Sequence, residues 1–254
     1  MMLNPANDQF VLSPKRWVRP AQQTAAKPAT FAVGTLSMTG LLVATMLVAI
    51  ALDTSQARVM VDQLALRSAV WSWMDPSSYA RIFTHVLMHA DANHFFWNAL
   101  VFVLAGSLVE WRIGFRAFVL LVLGGTIVAS SSHLLLFPEE SRNLIGASGT
   151  VSALLGVVAV IAGGIGICVR LPGTSLWISL TLRRLLAVWI GMQIVGLLTI
   201  YLAPSAPPQV AYWSHLAGFT AGVVGGLIYQ RLGGGNAEAE PVADLGPSFA
   251  SAGD

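Results

Sequence analysis

The chain has 254 residues, 55% hydrophobic and only 10% charged, with a mean hydropathy of +0.69 and a formal net charge of +2. Soluble domains carry about 25% charged residues, so this composition describes an integral membrane protein. No dense basic run is present to meet a phosphate backbone, which excludes nucleic acid as a partner, and the single cysteine, Cys168, excludes an internal disulfide and a cysteine-built metal site.

Residues 1–30 are polar and carry Lys15, Arg16, Arg19 and Lys27 ahead of the first apolar run; they are expected to form a cytoplasmic N-terminal segment. Phe31 to Leu52 then supplies 22 uncharged residues. That is too long for the apolar part of a cleaved signal, and at about 1.5 Å per residue it crosses about 30 Å of hydrocarbon. Further apolar runs follow at His94 to Val109, Ala117 to Phe137, Leu144 to Val169, Leu185 to Ala203 and Val210 to Tyr229. The expectation is an all-α integral membrane protein with six transmembrane helices over residues 31–231. Residues 232–254, rich in Gly, Ala, Pro and acid, are expected to be a disordered cytoplasmic tail.

Placing the N-terminus inside puts ten of the 14 Lys and Arg residues on the inner side, which predicts that both termini are cytoplasmic. The longest connection, Asp53 to Asn93, then lies outside. Trp71, Trp73, Met74 and Tyr79 predict that part of it sits at the headgroup level.

Polar groups inside spans are costly and point to function by default. Here they are His94 and Asn98 on the second span, His133 on the third, Ser148 on the fourth, Gln193 on the fifth and His215 on the sixth. The second, fourth and sixth spans run in the same direction, so His94, Asn98, Ser148 and His215 fall at one depth, under the outer surface. By itself the string Gly146, Ala147, Ser148, Gly149 reads as a helix-packing motif. The sixth span has a matching stripe in Ser214, Gly218, Gly222 and Gly226. If the two stripes meet, His215 comes within reach of Ser148, and packing becomes the means of building a nucleophile and its base. Ser148 also opens a helix, where the N–H groups of Ala147 and Ser148, with His94 and Asn98 as side-chain donors, are suited to an oxyanion. No Asp or Glu lies at this depth, so the arrangement is a Ser/His dyad.

With these residues assembled, the chain resembles the rhomboid family of intramembrane serine proteases in its six-span form. The motifs that carry the resemblance are ARIFTHVLMHADANHFFWN from Ala80 to Asn98, GASG from Gly146 to Gly149 and HLAGFTAG from His215 to Gly222. The resemblance implies a catalytic dyad of Ser148 and His215, with oxyanion donors at His94, Asn98 and the Ser148 backbone. It implies cleavage of transmembrane protein substrates near their outer membrane boundary, within the lipid bilayer and without a metal or organic cofactor. It implies structural roles for His85, His89 and Glu110, a lateral gate at the fifth span, and residence in a bacterial plasma membrane. Two positions depart from the family pattern. Ala80 stands where many members have a tryptophan before the arginine, and Ser152 stands where many have a tyrosine that stacks on the histidine.

His85 and His89 are spaced i, i+4 as metal ligands can be, but no HExxH and no neighbouring carboxylate supports a metal. A proteolytically inactive rhomboid-fold protein that binds transmembrane helices is the alternative function, and the presence of both Ser148 and His215 argues against it. A small transporter lacks its expected midplane charge and inverted repeat.

Overall fold

A computed structural model describes residues 32–170, 177–202 and 210–234. The expectations for segment 1–30 and for all but the first residues of 232–254 lie outside the described residues. Among the described residues are eight α-helices and one antiparallel hairpin. Six helices correspond to the expected spans: α1 (Val33–Ala51), α4 (Ala92–Ile113), α5 (Phe115–Leu136), α6 (Ser148–Ile161), α7 (Leu182–Leu202) and α8 (Tyr212–Tyr229). Of these, α1, α4, α5 and α7 are long and apolar enough to cross a membrane. Two shorter helices, α2 (Thr54–Leu64) and α3 (Pro76–Thr84), lie in the long connection.

Two spans differ from expectation in length. α4 begins earlier than His94 because Asp91 accepts from the His94 N–H at 2.8 Å and caps the helix, and it extends past Val109 to Ile113, where Gly114 at φ 82° turns the chain into α5. The run from Leu144 to Val169 is not one helix. Leu144 pairs with Leu66 in an isolated bridge, and Gly146 at φ 112° precedes the first turn of α6. At the other end α6 stops at Ile161, followed by Gly163 and Gly164, and Gly166–Arg170 forms strand β1 against β2 (Trp177–Thr181). Adjacent glycines are poor helix formers, and a short β-branched apolar run pairs as readily as it coils.

α6 is the centre of the bundle, with nine of its 14 residues buried and α4, α5 and α8 packed around it. Leu120, Leu135, Val188 and Leu202 are exposed on the outer helices, the arrangement expected where lipid is the solvent. α8 packs most extensively on α6. A Cβ at Gly222 would overlap the Ala153 carbonyl oxygen, one at Gly218 the Gly149 carbonyl oxygen, and one at Gly156 the Phe219 carbonyl oxygen. These glycines let the two backbones touch.

α4, α6 and α8 run in parallel, and their last turns are tied together. Arg112 Nη1 donates to the Ile161 carbonyl at 3.4 Å, and the Tyr229 hydroxyl donates to the Arg112 carbonyl at 3.0 Å. At the same end Glu110 closes the start of α1. Its carboxyl oxygens accept from the N–H of Gly34 at 2.9 Å, the N–H of Thr35 at 2.8 Å and the Thr35 hydroxyl at 2.8 Å. The first N–H groups of a helix have no partner within it, so a carboxyl there satisfies donors and complements the helix dipole.

The connection between α1 and α4 is anchored by polar contacts. Arg81 Nε donates to the Gln63 carbonyl at 3.2 Å and the Thr84 hydroxyl to the Leu64 carbonyl at 2.8 Å, holding α3 against the end of α2. Trp71 meets Trp73 and Tyr79 edge-on at 5.5 Å and 5.3 Å, which gathers aromatic rings next to Ala80, and Trp73 and Met74 are exposed.

Candidate active site

Ser148 is the first residue of α6, and its position is set from both sides. Before it, Gly146 adopts a φ open mainly to glycine, and its N–H donates to the His85 carbonyl at 2.9 Å. After it, Gly149 faces Ala129 and the backbone of Ser214. Gly149 follows Ser148 and Ser214 precedes His215, so the α6–α8 contact runs directly beside both candidate residues. Ser148 and His215 are half-buried, while Ala147 is fully buried.

The helix start leaves donors in place. Among the described residues the N–H groups of Ala147 and Ser148 have no backbone partner, and the first bond of the helix is from Val151 to the Ala147 carbonyl at 2.8 Å. His94 lies over this turn: a Cβ at Gly146 would come within 2.7 Å of His94 Cε1 and 2.8 Å of Nε2. Asn98, one turn further along α4 and buried, donates one amide hydrogen to the His94 carbonyl at 2.9 Å, which leaves its second hydrogen for another acceptor. Thus His94, Gly146, Ala147 and Ser148 gather where the first turns of α4 and α6 meet, with Asn98 one turn further along α4. Gly146 serves this turn and His94, whereas Gly149, Gly218 and Gly222 serve the α6–α8 contact.

The surrounding polar groups hold the connection between α1 and α4 to the bundle. The His85 ring pairs with the Ser130 hydroxyl at 2.8 Å, and Ser130 reaches the Ile82 carbonyl at 3.3 Å. Burial, with the neighbouring His133 as a second cause, pushes His85 down to about 3, so it is neutral at physiological pH. His89 packs edge-on against His94 at 5.1 Å and Phe95 at 5.5 Å, and burial followed by the proximity of His94 pushes it down to about 4. Ser148, Ser214, His85, Ser130 and Thr126 also line a cavity of about 10 Å³. That is at the lower limit of room for one water.

At Ser152 the hydroxyl turns back to the Ser148 carbonyl at 2.6 Å. The ring beside His215 comes instead from α7: Trp189 lies with its centroid 6.2 Å from the imidazole at an interplanar angle of 30°, and 5.9 Å from Phe219. Gln193, also on α7 and buried, meets His215 Nδ1 through its side-chain oxygen at 2.8 Å. The sequence gives no signal that Trp189 meets His215, whereas Gln193 stands out as the one strongly polar residue of the fifth span. Among the described residues no group of three or more His, Cys, Asp or Glu could hold a metal ion.

Residues 76–232 match the family model described as the Rhomboid domain, a region that runs from α3 to the end of α8 and leaves α1 outside. A search of curated proteins returns no match.

Proposed function

The chain belongs to the rhomboid family, and on that premise we propose that it is an intramembrane serine endopeptidase in which Ser148 is the nucleophile and His215 the general base and acid. The observation that carries the reading is that Gly149 faces the backbone of Ser214 while a Cβ at Gly218 would overlap the Gly149 carbonyl oxygen, so α6 and α8 approach backbone to backbone beside both residues. Packing of this kind fixes a nucleophile and its base without a carboxylate.

In the reaction, Ser148 Oγ attacks the carbonyl carbon of the scissile bond as His215 Nε2 takes the hydroxyl proton. The carbonyl electrons move to oxygen, and the N–H groups of Ala147 and Ser148, the His94 ring and the second amide hydrogen of Asn98 receive that charge. The carbon–nitrogen bond then breaks as His215 returns its proton to the leaving amine. Water, activated by the same imidazole, hydrolyses the acyl-enzyme. A helical peptide bond is shielded by its own hydrogen bonds, so the substrate is a transmembrane protein whose helix unwinds near the outer boundary, which Gly, Pro or polar residues favour. The bias of Lys and Arg supports cytoplasmic termini and an extracytoplasmic site.

The test uses purified protein in detergent, a serine-directed fluorophosphonate probe and a transmembrane model substrate. Intact protein labels and cleaves, while Ser148→Ala does neither and His215→Ala loses cleavage. Cleavage by Ser148→Ala refutes the dyad. Binding of the model substrate with neither labelling nor cleavage supports the inactive helix-binding alternative.

A further inference from the structure

His215 is held from α7, and the contacts that hold it have helical spacing. Trp189, Gln193 and Gly196 lie three and four residues apart, on one face of α7. Opposite them on the antiparallel α8 lie Phe219, His215 and Tyr212, also three and four apart. Trp189 covers His215 and Phe219, Gln193 pairs with His215, and the Tyr212 ring fills the space that a side chain at Gly196 would occupy. The two outer contacts fix the register of the helices, and the middle one falls on the imidazole.

The chemistry of that middle contact is directional. The atom of Gln193 nearest Nδ1 is its carbonyl oxygen, an acceptor with no hydrogen to give, so Nδ1 carries the ring hydrogen. A neutral imidazole with its hydrogen on Nδ1 has a free lone pair on Nε2, the form that can take a proton from a hydroxyl. The indole at 6.2 Å and 30° lies within the range of about 4.5–7 Å at which stacked rings attract. Ser152 provides no ring of its own.

We propose that Gln193 and Trp189 are positioning residues for His215, the amide oxygen fixing the tautomer and the indole fixing the plane of the ring. This rests on His215 being the base of the proposed reaction. Among the described residues, His94 on α4 is the titratable side chain that faces His215 from the other helices, and Gln193 itself is uncharged, so α7 sets the proton's place on the ring without adding charge.

The test combines nitrogen-15 histidine spectra of the full chain in detergent with kinetics on a transmembrane model substrate. In the wild type His215 is the Nδ1–H tautomer. Gln193→Met, which keeps the length of the side chain but has no carbonyl, loses that preference. It lowers kcat by about tenfold to a hundredfold at unchanged KM, the scale on which uncharged hydrogen-bond partners that orient a histidine ring act. Gln193→Glu keeps an oxygen at the same reach and adds negative charge, so it recovers kcat and moves the acid limb of the kcat/KM profile to higher pH. A simple packing role predicts neither the recovery nor the shift. The proposal is overturned by an Nε2–H tautomer in the wild type, or by a Gln193→Met protein with unchanged tautomer and kcat. If Gln193→Met does not fold, an unshifted pH profile in Gln193→Glu overturns it equally. Should the wild type cleave nothing, the proteolytic reading falls, and the spectra alone still decide whether Gln193 sets the His215 tautomer.

Discussion

The His94 ring occupies the space beside Gly146 that a side chain would need, with Cε1 2.7 Å and Nε2 2.8 Å from the position of a Cβ. The residue that gives the turn before Ser148 its backbone is therefore also the residue that admits the imidazole. Gly146→Ala meets two obstacles at once, a φ of 112° and the His94 ring. The backbone strain costs about 1–3 kcal/mol. Loss of one oxyanion donor lowers turnover about 10²-fold to 10³-fold. Cleavage of a model substrate by Gly146→Ala at wild-type kcat contradicts this placement of His94.

Gly222 offers a second test, directed at the packing that builds the site. Its Cβ would overlap the Ala153 carbonyl, a backbone atom that cannot turn aside, whereas at Gly225 the nearest atom is the end of the Leu121 side chain at 2.8 Å, and at Gly124 nothing lies within 4 Å. Gly222→Ala is expected to cost at least about 1–3 kcal/mol by forcing α6 and α8 apart. Gly124→Ala is expected to be neutral or to stabilise by up to about 1 kcal/mol. Thermal melting in detergent ranks the three, and a Gly222→Ala protein as stable as Gly124→Ala contradicts the close approach.

Glu110→Ala removes three hydrogen bonds from the start of α1, two of them from the fully buried Thr35. By the measure of helix caps and charge-assisted bonds the cost is about 2 kcal/mol or more. Because the contacts lie at the opposite end of the bundle from Ser148, kcat of the folded fraction is expected to hold while the melting temperature falls. Equal melting temperatures for wild type and Glu110→Ala argue against the cap.

His85 and His89 make stability depend on pH. In the unfolded chain both imidazoles take up a proton near 6.5, but in the folded protein only near 3 and 4. Between those values the unfolded state binds more protons, so stability is complete above about pH 6.5 and falls as the pH is lowered. The melting temperature of wild type is expected to drop over that window, and that of His85→Asn to start lower and drop less. Parallel curves for the two proteins contradict the assignment.

How much of this was legible in the sequence follows from the range of the forces involved. The helices announce themselves because lipid demands long apolar runs, and the depth of His94, Asn98, Ser148 and His215 follows from counting residues along them. The hairpin at Gly166–Arg170 and Trp177–Thr181 was hidden because a segment of five residues with only two or three large apolar positions satisfies a strand and a helix alike. The seat of His215 was hidden for another reason. Gln193 stood out as a polar residue in an apolar span, but which group it meets depends on the rotation of α7 about its axis, fixed by Tyr212 over Gly196. Ser152 pointed to a missing ring, yet the ring that lies there comes from a different helix, 37 positions along the chain as Trp189.

Glu110 carries a consequence for how the chain is made. α1 buries only Thr35 and Leu42, and the start of the helix is closed by a carboxyl 75 residues further on. During synthesis the first span therefore enters the bilayer before its cap exists, with its opening N–H groups left to water and headgroups. It settles against the bundle only when the last turn of α4 emerges. The family match begins at residue 76, but Glu110 lies inside it and α1 outside. A chain that started at the matched region would insert with a buried acid and nothing to hold, which makes the first helix part of the working unit.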